Sequence, residues 1–114
     1  MISVEIEDVM KALADRNRLR ILNLLQDGPL CVCDLEEALA LNQSNLSRHL
    51  AKLKQAGLLK SKKEGLFIYY SLKELEGPYA EGGQRIYAGL RQSGEWQDDQ
   101  KALEAKTGCG PENR

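Results

Sequence analysis

The sequence predicts a mainly α domain with one small β-hairpin. Three observations carry this. Leucines recur at helical spacing through the first half of the chain. Glycine and proline stops at Gly28-Pro29, Gly57 and Gly77-Pro78 cut the chain into helix-length pieces. Between the last two stops lie two strand-like runs joined by a tight link. At 114 residues the chain fits a single domain, and a chain this short buries only part of its surface, so a dimer would help its stability.

The first helix is expected over about 4–14, where Val4, Val9, Met10, Leu13 and Ala14 follow a loose helical pattern. Asp15 can cap a second helix of about 16–26, with Leu19, Ile21, Leu22 and Leu25 on its inner side. The third helix has two candidate starts. Pro29 can be its first residue with Gly28 as cap, or Asp34-Leu35-Glu36-Glu37 can form a capping box. In both versions Leu35, Ala38 and Leu39 face inward. A short connection, Ala40 to Gln43, leads to a fourth helix of about 44–56 with Ser44 as the expected cap. Its buried face is Leu46, Leu50 and Leu53, and its opposite stripe is Asn45, Arg48, His49, Lys52 and Gln55.

The strands are expected over Leu58–Lys63 and Leu66–Leu72, with Glu64-Gly65 as the two-residue link. After Gly77-Pro78 come helical segments of about 79–92 and 95–106, carrying Tyr79, Ile86, Tyr87, Leu90, Trp96 and Leu103. Two glycines at 82 and 83 weaken the first of them. A domain over 1–106 is followed by an expected flexible tail, 107–114, which carries Cys109.

The net charge of −1 hides an asymmetry. Between Asn42 and Lys63 stand six bases (Arg48, Lys52, Lys54, Lys60, Lys62 and Lys63) and no acid, leaving ten bases against seventeen acids elsewhere. Such a block attracts polyanions even in a nearly neutral chain. Two helices joined by a short turn, the second basic on its exposed face, followed by a basic hairpin, give the order of a winged helix-turn-helix. Its second helix enters the major groove, and the wing's lysines lie near the flanking backbone. No apolar run approaches the ~20 residues of a membrane span. The start, MISVEIEDVMKAL, has early acids and no apolar core of a secretory signal. A cytoplasmic protein with no membrane association is therefore expected. Its three cysteines are expected reduced, without a stable structural disulfide.

Four segments in order, "KALADRNRLRILNLL", "LCVCDL", "NLSRHLAKLKQAGLL" and "KKEGLFIYYSL", resemble the ArsR/SmtB family of metal-responsive repressors over about residues 8–75. "LCVCDL" resembles its arsenic-sensing branch. The resemblance implies a homodimer built from the first and last helices (about 1–14 and 79–106) on an operator of two-fold symmetry. It also implies release of double-stranded DNA when As(III) or Sb(III), the inducer, binds thiolates, with no organic cofactor. In the best-known version of the motif a third cysteine lies one turn further on, where this chain has Glu36. Other members recruit a cysteine from elsewhere, including the C-terminal region, which makes Cys109 the candidate partner of Cys31 and Cys33.

The residues allow this chemistry. Arg48 can donate two hydrogen bonds to a guanine edge, and Asn45 or Gln43 can read adenine. Ser44 and Ser47 suit phosphates or base edges near the helix start. Lys52, Lys54, Lys60, Lys62 and Lys63 suit phosphates. His49, the single histidine, fits a DNA contact better than a metal ligand. Trivalent arsenic is soft and favours thiolate sulfur. On a regular helix positions i and i+2 point about 200° apart, so Cys31 and Cys33 cannot both grip one ion from a helix. In an extended segment they share a side. A start at Pro29 would require the ion to unwind the first turn, whereas a start at Asp34 would leave the pair already extended.

Zinc usually takes four ligands, commonly with histidine, and the C-terminal helices contain none. Cd(II) or Pb(II) sensing and thiol redox sensing remain alternatives on the same fold. A solvated basic face without DNA binding is the bland alternative for the stripe. An enzyme is not expected: there is no nucleophile–base pairing and no glycine-rich phosphate loop.

Overall fold

A computed structural model describes residues 5–105. Helix α1 (Ile6–Leu13) turns Val9 and Ala12 inward. Asp15 begins α2 (Arg16–Leu24) as expected, its carboxylate accepting the Arg18 backbone N–H at 3.1 Å. A turn of 3-10 helix over Leu25–Asp27 follows, and the chain leaves it at Gly28.

Neither expected start of the third helix is used. Leu30–Cys31 forms a short strand, β1, and α3 runs over Val32–Leu39 with Cys31 as its extended N-cap residue (φ −82°, ψ 162°). Sequence periodicity could not show β1, because two residues carry no period. What creates it is pairing: Leu30 lies opposite Tyr70 and Cys31 opposite Tyr69 on the second hairpin strand. With Cys31 tied into a sheet, the helix begins at the next residue. Leu35, Ala38 and Leu39 of α3 are buried as expected.

Ala40 ends α3 in the left-handed region (φ 55°), and α4 follows over Gln43–Gln55. Its cap is Asn42, not Ser44: the Asn42 side chain accepts the Asn45 backbone N–H at 2.8 Å. Asn and Ser are equally good caps. Capping from Asn42 draws Gln43 and Ser44 into the first turn. Leu46, Leu50 and Leu53 are buried, and they meet Ile21, Leu22 and Leu35 in the core.

The hairpin pairs β2 (Leu59–Glu64) with β3 (Phe67–Leu72) from Leu59 opposite Leu72 to Glu64 opposite Phe67. The link is therefore Gly65-Leu66, one residue later than the sequence suggested. Gly65 at φ +61° takes the first loop position, where a two-residue hairpin turn needs positive φ. Strand order is β1-β3-β2, so β3 lies between the cysteine strand and the basic strand. Of β3, only Tyr69 is fully buried.

Helices α5 (Ala80–Leu90) and α6 (Gly94–Ala105) close the domain. Gly83 allows α5 to approach Leu75, since a Cβ there would lie 2.9 Å from the Leu75 side chain. Helix α6 packs on α2 and α3. Arg20 holds the buried Asp99 with two hydrogen bonds of 2.8 and 3.0 Å, and the Trp96 indole N–H donates to the Asn23 carbonyl. Tyr87 is buried within the chain, where burial, with Glu74 nearby, pushes its hydroxyl pKa up to about 12. Met10, Tyr79 and Ile86 remain exposed on α1, the turn before α5, and α5. The expected tail, 107–114, with Cys109, lies outside the described residues. No helix among the described residues is long and apolar enough to cross a membrane.

Candidate functional site

Two features face each other across α3 and α4. The first is the junction where β1 becomes α3. Cys31 arrives extended and Cys33 is already the second residue of the helix. A strand-to-helix junction is thus a third solution to the i, i+2 problem, and it brings the two sulfurs to 3.5 Å. Asp34 closes the cluster: one ligating atom from each of Cys31, Cys33 and Asp34 lies within 4.8 Å of the others. Cys31 and Asp34 are both 1% exposed, whereas Cys33 is half-buried. Cys33 edges a groove of about 440 Å³ between α3, α4 and the tip of the hairpin.

Burial pushes the Cys31 thiol above its ordinary value of 9.0. The Asp34 backbone N–H opposes this, the Asp34 side chain adds to it by hydrogen bond and charge, and the Cys33 backbone N–H opposes it again. Cys31 is a free thiol. Cys33 is disulfide-bonded, which corrects the expectation that every cysteine is reduced. Asp34 was weighed in the sequence only as a helix cap. Its spacing of three from Cys31 was the available signal for its place in the cluster.

The second feature is the exposed side of α4 with the adjoining wing. Gln43, Ser44, Ser47, Arg48 and Lys52 are exposed, and Asn45 and His49 are half-buried. The Arg48 guanidinium donates to the Asn45 side-chain oxygen one turn back. Lys60, Lys62 and Lys63 are exposed on β2. Lys54 donates to the Ser61 hydroxyl at 2.7 Å and so joins α4 to the wing. His49 turns toward α2, where its Nδ1 lies 3.3 Å from an Arg18 guanidinium nitrogen. Arg18 was not foreseen as part of this face. It stands 31 residues earlier in the chain, and no periodic pattern links the two positions.

The two features are physically continuous. Across the sheet Cys31 lies opposite Tyr69, and Tyr69 lies opposite Lys62. The neighbouring row runs Leu30, Tyr70, Ser61, and Ser61 is the hydroxyl held by Lys54 of α4.

A winged helix-turn-helix with a basic face on its second helix and wing defines the class of winged helix-turn-helix regulators. Comparison with known proteins agrees. Residues 15–61 match the model of the bacterial regulatory protein, arsR family. The chain is similar to the arsenic resistance transcriptional regulator ArsR1 of Pseudomonas putida, 48% identical over 65 residues, or 56% of this chain and 51% of that protein. It thus spans about half of that relative's length. It is 45% identical over 71 residues to the arsenical resistance operon repressor of Bacillus subtilis, covering 61% of this chain and 68% of the repressor. Among solved structures, the homodimeric winged helix-turn-helix DNA-binding domain Mb0332 of Mycobacterium bovis superposes with a TM-score of 0.61. The match has 32% identity and covers 75% of this chain and 74% of that one. The chain belongs to the arsR family of bacterial regulatory proteins.

Proposed function

We propose that this chain is a repressor of arsenic resistance genes. A homodimer binds a palindromic operator through α4 and the wing, and As(III) or Sb(III) releases it by binding Cys31 and Cys33. The observation that carries this reading is the 3.5 Å separation of the two sulfurs at the start of α3. Two metal–sulfur bonds of about 2.3 Å easily span that gap, and a soft ion selects sulfur over the neighbouring Asp34 oxygen. Cys33 must be reduced before it can bind. Cys109 is the proposed third ligand. The 1–106 unit is proposed as the domain, with α1 and α5–α6 as its dimer helices and the exposed Met10, Tyr79 and Ile86 as contacts.

Within this reading Gln43, Asn45 and Arg48 contact base edges, and Ser44, Ser47, His49, Lys52, Lys60, Lys62 and Lys63 contact phosphates or nearby edges. Capture of the ion at the junction pulls on β1 and on the first turn of α3 together. The β1 strand moves the wing through Tyr69 and Tyr70, while α3 tilts α4. A coupling of about 1–3 kcal/mol changes operator affinity roughly 5–150-fold. The protein works in the cytoplasm and carries out no catalysis.

The disulfide at Cys33 favours a second reading on the same scaffold, in which oxidation rather than a metalloid changes DNA affinity. One titration separates them. Arsenite, antimonite, cadmium, lead, zinc and peroxide are added separately to reduced, operator-bound protein. Release by the trivalent ions alone is expected. Release by peroxide alone, or by cadmium and lead alone, contradicts the metalloid reading.

A further inference from the structure

His49 sits in the second turn of α4 with its Nδ1 3.3 Å from Arg18 Nη1. The guanidinium making this contact is not free to swing. Its Nε donates to the Ala12 carbonyl at 2.7 Å and its Nη2 to the Lys11 carbonyl at 3.2 Å. Those are carbonyls of the last turn of α1, and the Lys11 carbonyl also accepts the Ala14 backbone N–H at 3.2 Å. Asp15 stands beside the same group at 3.9 Å. Arg18 is therefore clamped to the end of α1, and its Nη1 faces α4.

An arginine has donors and no acceptors. The imidazole nitrogen that faces it must therefore offer a lone pair. This places the His49 proton on Nε2, the nitrogen remote from Arg18, because the hydrogen bond at one ring nitrogen fixes the role of the other. We propose that Arg18 is a positioning residue for DNA binding: it holds His49 Nδ1 as acceptor and so keeps Nε2–H as the donor for a DNA phosphate oxygen. A phosphate is favoured over a base edge because His49 follows the N-terminal turn that reads bases, and because Lys52, one turn further on, lies on the same stripe. The charged groups around the ring are Arg18 and Asp15 of α2 and Lys52 of α4, with Lys11 and Asp8 of α1 lining the adjoining pocket. The proposal rests on the DNA-binding reading of α4, but the tautomer it requires belongs to the free protein.

Because His49 is the single histidine, a long-range 1H–15N spectrum of the full chain shows one imidazole. Recorded on the neutral ring, it is expected to show Nε2 protonated and Nδ1 bare, and Arg18→Met is expected to relax this to a mixture of tautomers. A proton on Nδ1 in the native protein, or the same tautomer ratio in Arg18→Met, overturns the lock. Arg18→Lys keeps a charge but not the two-carbonyl clamp, and is expected to give an intermediate ratio. Duplex binding supplies the second arm. Arg18→Met and His49→Phe are each expected to weaken binding about 10- to 150-fold, the range of one hydrogen bond to a charged group. The double variant is expected to be no worse than either, on operator and unrelated duplex alike. Additive losses overturn the positioning role, and a loss confined to the operator overturns the phosphate assignment. Failure of the native protein to bind any duplex refutes the DNA-binding reading, while the spectrum still decides the tautomer.

Discussion

The thiol junction and the reading face use their side chains in opposite ways. At the junction Cys31 and Asp34 are sealed from water at 1% exposure each, and interactions act over two or three residues. On the α4 and wing face most side chains are exposed, and five of them, Arg48, Lys52, Lys60, Lys62 and Lys63, are positive and exert a field beyond their own contacts. A buried thiol is held protonated and quiet until a ligand with a strong preference for sulfur arrives. An exposed lysine row attracts any polyanion. In the proposed function, selectivity for the signal therefore belongs to the junction, and affinity for DNA belongs to α4 and the wing. The sheet and α3 are where the two meet.

The largest effect that separates the regions is salt. If six of the exposed bases contact phosphates, raising salt from about 50 to 200 mM weakens duplex binding about 10³-fold. Arsenite capture by Cys31 and Cys33 is expected to change little. Fluorescence anisotropy of a labelled duplex and a direct arsenite titration check the pair, and equal salt sensitivity would remove the distinction.

Core truncation strikes both regions. Leu46 is fully buried beneath α4, in the same core as Leu35 beneath α3. Leu46→Ala is expected to cost about 2–5 kcal/mol of stability in a denaturant melt. A loss confined to DNA binding, with stability unchanged, would show that the two features do not share a core.

Asp15 caps α2 away from the thiols, and Asp15→Ala is expected to cost about 0.5–2 kcal/mol. Partial burial pushes its carboxyl up. The Arg18 backbone N–H, the charge of Arg18 and the Asn17 N–H outweigh this and hold it below its ordinary 3.8. A lowered folded-state value means that the contribution is present above 3.8 and is lost as pH falls through the folded value. Stability measured from pH about 6 down to 3 should therefore converge between native and variant. Cys31 works in the other direction. Its raised value stabilises the fold below 9.0, and this contribution is lost as pH climbs through the folded value.

The smallest expected effect lies between the two helices. Ala40 adopts φ 55°, a conformation that strains any residue with a Cβ. Ala40→Gly is expected to raise stability by about 0.5–1 kcal/mol with DNA binding retained. A loss of stability would show that the turn relies on the alanine methyl group.

The helices were legible in the sequence because their leucines repeat over several turns. Leu46, Leu50 and Leu53 alone define the inner side of α4, and Asp15 announces α2. Boundaries set by competition between equivalent residues were not legible. Asn42 and Ser44 are equally able to cap α4, and only the placed Asn45 N–H decides between them. The hairpin slipped by one residue because its glycine can stand at either loop position until the strand register is known. At the site, Cys31 and Cys33 stood out by chemistry, but their convergence depends on β1, which exists only through pairing with residues about forty positions later. Arg18 was hidden for the same reason: its partners lie at the end of α1 and in the middle of α4. Tyr87 is buried within the chain and the Trp96 indole N–H bonds the Asn23 carbonyl of α2, contacts between distant segments that helical spacing does not announce.

The central claim is that the β1–α3 junction governs α4. It is tested most directly by measuring operator affinity of reduced native protein, Cys31→Ser and Cys33→Ser, each with and without arsenite. The account predicts equal affinity in all three without arsenite, a roughly 5- to 150-fold loss on adding it to the native protein, and no loss in either variant. Release of either serine variant by arsenite, to the same extent as the native protein, would contradict it.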